Sequence, residues 1–122
     1  MKLAVNSLIH GINQTLAEAM ALAEAAGIGR EAAFDVIEAS AACAPMIRYR
    51  RPLYLDEAAH DVTFTVTLAA KDMEVTAALA EEYGVAMPQG HVTLNVLQKA
   101  RAQGFAARDM ASILEFIRKA ET

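Results

Sequence analysis

Residues 2–26 contain no proline and a single glycine, Gly11, and this uninterrupted run is what most constrains the fold. Good helix formers fill it, enough for roughly six or seven turns at 3.6 residues each. Its apolar residues are not confined to one stripe. Leu3, Leu8, Ile9, Ile12, Leu16, Met20 and Leu22 go most of the way round, diluted by Ala17, Ala19, Ala21 and Ala23. A helix of that kind is expected to be central and buried on several sides, so the rest of the chain must pack around it.

The remaining chain reads as more helices with short connections. Gly27-Ile28-Gly29 stops the first helix, and a second is expected over residues 30–42, with Ala33, Phe34, Ile37 and Ala41 on one face. Pro45 and Pro52 bracket a less regular stretch with one short helix at 46–51, and residues 53–61 read as loop. Residues 63–83 repeat apolar positions at three and four, at Val66, Ala69, Ala70, Met73, Ala77 and Ala80, and end at Gly84. The alternation of Val62 to Leu68 could be a strand, but an unpaired one, so it is read as the start of that helix. Helices at 91–103 and 108–120, separated by Gly104, complete the chain, with Asp109 placed to favour the last one through its dipole. Five to six helices around a long first helix define an all-α domain.

A chain of 122 residues buries one core and has no room for both a catalytic and a separate cofactor-binding domain. Its net charge of −4 offers no footprint for nucleic acid. Arg48, Arg50 and Arg51 form its one basic cluster and read as a solvated surface run. Cys43 is the sole cysteine, which excludes an internal disulfide and a Cys-based metal site and fits a reducing, cytoplasmic compartment. No apolar run is long enough for a membrane span.

Gly27-x-Gly29-x-x-Ala32 formally matches a dinucleotide fingerprint, yet that chemistry needs a strand-to-helix turn and here the motif follows a long helix. It is read as a helix–helix connection, leaving the chain without a dinucleotide-binding unit of its own. Lys2 and Asn6 lie at i and i+4, hence on one helix face, and His10 and Asn13 extend the same side. A lysine taken out of water gives up its proton more readily, which suits general acid/base work. On a continuous helix Phe64 and Asp72 fall within about 80° of each other, with Lys71 directly before the acid. The histidines His10, His60 and His91 lack metal-ligand spacing, and no serine has a nucleophile-elbow context, so no metal is expected.

Taken together, "MKLAVNSLIHGINQTLAEAMALAEAAGI", "FTVTLAAKDMEVTAALAEEYGVAMP" and "GFAARDMASI" resemble the C-terminal domain of the β-hydroxyacid dehydrogenase family. That family includes 3-hydroxyisobutyrate dehydrogenase and tartronate semialdehyde reductase, with 6-phosphogluconate dehydrogenase a more distant relative. The resemblance covers nearly all of residues 1–122 as a single helical substrate and dimerisation domain, and it places a Rossmann domain, with its glycine-rich fingerprint and carboxylate-gripping loops, outside this chain. It implies NAD or NADP as cofactor, bound mainly by that other domain, a small carboxylate substrate, and a dimer formed through the helical domain. It also implies that Lys2 is the catalytic acid/base and that Asn6 holds the substrate or orients the lysine. Phe64, Lys71 and Asp72 would lie against the nicotinamide end of the cofactor. Glu18 would act from behind the site, and Asp109 would cap the last helix. The alternatives are a non-catalytic helical dimerisation module derived from the same family and a small effector-binding domain resting on the arginine cluster.

Overall fold

The computed structural model describes residues 1–120. Among the described residues there are seven α-helices: α1 (Lys2–Ala25), α2 (Arg30–Ala39), α3 (Pro45–Tyr49), α4 (Arg51–Leu55), α5 (Val66–Glu82), α6 (Pro88–Ala100) and α7 (Ile113–Lys119). Short 3₁₀ turns at Glu57–Ala59 and Met110–Ser112, and a wider π-type segment at Arg101–Phe105, accompany them, with no strand among the described residues. The expectation of an all-α domain around a long first helix holds. α1 packs against α2, α5, α6 and α7, so it is the axis of the fold.

Why α1 ends where it does is visible in its hydrogen bonds. Gly27 takes φ +88°, Ile28 N donates to Ala23 O at 2.9 Å and Gly27 N to Glu24 O at 3.0 Å. That pairing is a Schellman motif, which needs the left-handed residue that glycine supplies without strain. The glycines that mimic a dinucleotide fingerprint thus close one helix and open the next.

The core gathers Leu16, Ala17 and Met20 of α1 with Phe34 of α2, Val66, Ala69, Ala70 and Met73 of α5, Leu97 and Ala100 of α6, and Ile113 and Leu114 of α7. Phe34 and Val66 are fully buried, each worth roughly 1.5–3 kcal/mol of transfer free energy. Paired alanines at 69 and 70 keep α5 close to its neighbours.

Several boundaries differ from the sequence reading. The face of α1 that packs inward carries His10, Asn13, Gln14, Leu16, Ala17 and Met20, while Leu8 and Leu22 are exposed, so α1 is buried along one side rather than several. The helix expected at 46–51 divides at Arg50 into α3 and α4, and α4 with its following 3₁₀ turn occupies most of the presumed loop 53–61. Prolines explain both starts, since Pro45 and Pro52 sit in first turns where no N–H is needed. α6 begins three residues earlier than expected for the same reason, with Pro88 as its first residue. α5 starts at Val66 rather than residue 63, capped by the Thr65 hydroxyl accepting from Leu68 N at 3.1 Å. Residues 64–66 are instead tied to the far end of the chain: Met110 N donates to Phe64 O at 2.8 Å and Val66 N to Arg108 O at 2.9 Å, around a lone bridge between Thr65 and Asp109. The same pairing delays the last helix, which turns through Met110–Ser112 before α7 forms.

Candidate active site

Polar side chains on the inward face of α1 meet α5 and the chain around Phe64. Asn6 Nδ2 donates to Asp72 Oδ2 at 3.2 Å, and His10 Nε2 lies 3.1 Å from the same oxygen. A carboxylate accepts, so the His10 Nε2 carries the proton and donates it, leaving Nδ1 as an acceptor. The Phe64 ring tilts against the His10 ring with 5.5 Å between centroids. One turn deeper, Asn13 Nδ2 donates to Met110 O at 3.0 Å, while the Tyr54 hydroxyl donates to Asn13 Oδ1 at 2.9 Å. A cleft of about 140 Å³ opens onto this group, lined by Asn6, Ile9, His10, Tyr49, Arg50, Phe64 and Met110.

The cleft's far wall is held by an ion pair. Asp109, fully buried, bonds the Arg50 guanidinium and caps the 3₁₀ turn by accepting from Ala111 N at 2.8 Å. Its other oxygen accepts from Thr63 N at 3.0 Å, from the Thr63 hydroxyl at 3.2 Å and from Phe64 N at 3.3 Å. Arg50 adds a bond to Thr63 Oγ1 at 2.8 Å. One carboxylate therefore fixes the α3–α4 junction, the backbone that presents Phe64, and the start of the last turn.

Burial pushes the His10 pKa below its ordinary 6.5, opposed by the Asp72 bond and charge and reinforced slightly by the Arg50 charge. His10 is 3% exposed. Burial likewise raises Tyr54 to about 12, which keeps its phenol a hydrogen-bond donor.

Of the residues expected from the sequence, Asn6, Phe64 and Asp72 come together around His10. Phe64 does so from a different position than expected: it precedes α5, so the 80° helical relation to Asp72 does not apply, and its place comes from the Asp109 bonds instead. Lys2 and Lys71 are exposed, the first on the opening turn of α1 and the second beside Asp72 on α5. Lys2 therefore lacks burial by this chain's own residues. Glu18 is exposed and accepts from Gln14 Nε2 at 2.8 Å. Asp109 caps as expected. The arginine cluster is not a solvated run: Arg50 is buried on Asp109, and Arg51 pairs with Asp35 at 2.7 Å and Glu38 at 3.0 Å, so only Arg48 fits the surface reading. Sequence reasoning missed Arg50, Tyr54 and the His10–Asp72 bond, whose partners lie 41 to 62 positions apart. The inward spacing of His10 and Asn13 with Asn6 was the one available signal. Among the described residues no group of three or more His, Cys, Asp or Glu could hold a metal, and no helix is long and apolar enough to cross a membrane.

The all-helical fold is that of part of the dehydrogenases of known structure. 3-Hydroxyisobutyrate dehydrogenase from Salmonella typhimurium has the same architecture, with a TM-score of 0.84 at 26% identity over 94% of this chain and 40% of that one. Mycobacterium tuberculosis 3-hydroxyisobutyrate dehydrogenase with L-serine shares the fold at a TM-score of 0.85 and 22% identity, over 96% and 42%. A family model described as the NAD-binding of NADP-dependent 3-hydroxyisobutyrate dehydrogenase matches residues 1–117, and the chain belongs to that family. Among curated relatives, 3-sulfolactaldehyde reductase of Escherichia coli (strain K12) is 30% identical over 118 residues, 97% of this chain and 40% of that protein. Glyoxylate/succinic semialdehyde reductase 1 of Arabidopsis thaliana is 25% identical over the same shares. The chain thus spans about two fifths of the length of the relatives it matches.

The family's cofactor is NAD or NADP. The half-buried Phe64 ring borders the cleft and Lys71 is exposed on α5, whereas the Gly27 turn is occupied by the Schellman bonds and offers no pyrophosphate cradle.

Proposed function

We propose that this chain is the helical, substrate-facing part of an NAD(P)-dependent oxidoreductase that interconverts a small 3-hydroxy acid, or a related hydroxy acid and semialdehyde pair, and its carbonyl form. The observation that carries this reading is the 3.2 Å bond between Asn6 and Asp72, which joins the Lys2–Asn6 face of α1 to the Phe64–Asp72 segment. Lys2 Nζ gives a proton to the carbonyl oxygen in reduction and takes it back from the hydroxyl in oxidation. Asn6, its amide fixed by Asp72, orients the reacting oxygen or the lysine. Phe64, Lys71 and Asp72 border the nicotinamide end. When bound, NAD or NADP supplies or accepts the hydride. Covering of the exposed Lys2 by a dinucleotide-binding unit excludes water from its ammonium. The helical domain also forms a homodimer, and the protein works in the cytoplasm, where Cys43 stays reduced.

The test grafts residues 1–117 in place of the matched segment of the E. coli 3-sulfolactaldehyde reductase and follows nicotinamide oxidation with a panel of small semialdehydes. Turnover that falls about 10²–10⁴-fold in Lys2→Ala is expected, together with no turnover by the 122-residue chain alone. Full activity in Lys2→Ala would sink the assignment of Lys2, and robust turnover by the chain alone would sink the division of labour.

A further inference from the structure

A single oxygen ties α5 to two side chains one turn apart on α1. Asp72 Oδ2 accepts from His10 Nε2 at 3.1 Å and from Asn6 Nδ2 at 3.2 Å, and no other group among the described residues bonds that carboxylate. The His10 side chain is 3% exposed and that of Asp72 26%, so of the two donors the histidine is the fully buried one. Without it the carboxylate is held by Asn6 alone and is free to turn toward solvent. Keeping a histidine at this place has a cost. Its Nδ1 is sealed off without a partner, a penalty that an apolar side chain of similar size does not carry. Folded proteins keep such penalties chiefly where they serve a site.

An asparagine amide has a donor end and an acceptor end, and a half-turn about its last bond exchanges them. An anchored carboxylate decides which end faces it. Nδ2 turns to Asp72, and Oδ1 is left to accept. Lys2 lies one turn back on the same face of α1, and its ammonium offers only donors. We propose that His10 is a positioning residue: by holding Asp72 it fixes the Asn6 amide with Oδ1 left to accept from Lys2. The inference rests on reading Lys2 and Asn6 as the reacting pair, and it adds a residue that acts on them through Asp72.

Two substitutions separate the bond from the space it fills. His10→Gln keeps an N–H donor near the place of Nε2, whereas His10→Leu keeps the bulk and offers no donor. In ¹⁵N–¹H spectra of the 122-residue chain, the Asn6 side-chain amide is assigned by its loss in Asn6→Ala, with exposed Asn95 as the internal reference for an unheld amide. Expected are Asn6 amide protons that exchange with water more slowly than those of Asn95, a difference retained in His10→Gln and lost in His10→Leu. In the graft described above, His10→Leu lowers kcat by about tenfold to a hundredfold with little change in KM, and His10→Gln restores most of it. Because His10 acts through Asp72, His10→Leu costs nothing further once Asp72→Ala is in place. Slow exchange at Asn6 that survives in His10→Leu, its loss in a folded His10→Gln, or an equal fall in kcat with and without Asp72 would each overturn the proposal. The exchange measurement needs no turnover, so its failure leaves the Lys2 reading standing, and full activity of Lys2→Ala sinks that reading whatever the Asn6 amide does.

Discussion

At the scale of single residues, Asp109 and His10 carry opposite burdens. Asp109 accepts from Arg50, Ala111, Thr63 and Phe64, and its removal leaves the Arg50 guanidinium buried with only Thr63 to meet it. Breaking one half of such a pair costs about 3–5 kcal/mol, so Asp109→Ala is expected to lower the free energy of urea unfolding by that much, a large part of a small domain's total. A loss under 1 kcal/mol would mean that Arg50 reaches water. His10 has the opposite problem, because its charged form is the disfavoured one. The folded pKa lies below 6.5, so between 6.5 and that lower value the unfolded chain binds the proton that the folded chain refuses. Stability from His10 is therefore fully present above pH 6.5 and declines as the pH falls through that window. Urea titrations from pH 7.5 to 5 should show this decline in the native sequence and a shallower one in His10→Gln. Of this layer the sequence disclosed the identities and little of the pairing: Asn6 and Asp72 could be named, but hydrogen bonds across 46 to 66 positions leave no local periodicity to read.

At the scale of elements, helices were legible wherever apolar spacing or a glycine stop spoke locally, as in α1 and α5. They were misread where a distant partner set the boundary. Residues 63–65 alternate like a strand without a visible partner and so read as the start of α5, yet Asp109 and the Met110 amide supply that partner and hold them outside the helix. The glycine stops are the opposite case, local and decisive. Gly84 takes φ +67° after α5, with Val85 N bonding Ala80 O at 2.9 Å, and no atom lies within 4 Å of where a Cβ would stand. The cost of Gly84→Ala is thus conformational alone, about 1 kcal/mol, whereas Gly11→Ala, inside α1 and equally unobstructed, should gain up to about 1 kcal/mol. Thermal unfolding of both variants, at a protein concentration low enough to hold association constant, checks the contrast in sign. Two shifts of the same sign would contradict it.

At the scale of the whole molecule, the apolar face that the sequence assigned to the interior of α1 turns outward. Leu8 and Leu22 are 65% and 73% exposed, and with Ala4, Thr15, Ala19 and the C-cap Ala26 they lie within about 60° of one another around the helix axis. All six are exposed, and none is charged. Val36 of α2 is likewise apolar, at 71% exposure. Monomers rarely leave so continuous an apolar surface in water, and its small residues allow a second helix to approach closely. The residue pattern that suggested burial on several sides would then be satisfied between molecules, in the homodimer proposed above. Light scattering after size exclusion should give twice the mass of the 122-residue chain. Leu8→Glu with Leu22→Glu puts two charges in the centre of that surface and should return the monomer with unchanged helical circular dichroism, because neither side chain belongs to the core. A native chain that elutes as a monomer at tens of micromolar would remove the dimer, and a doubly substituted chain that stays dimeric would move the interface to another face.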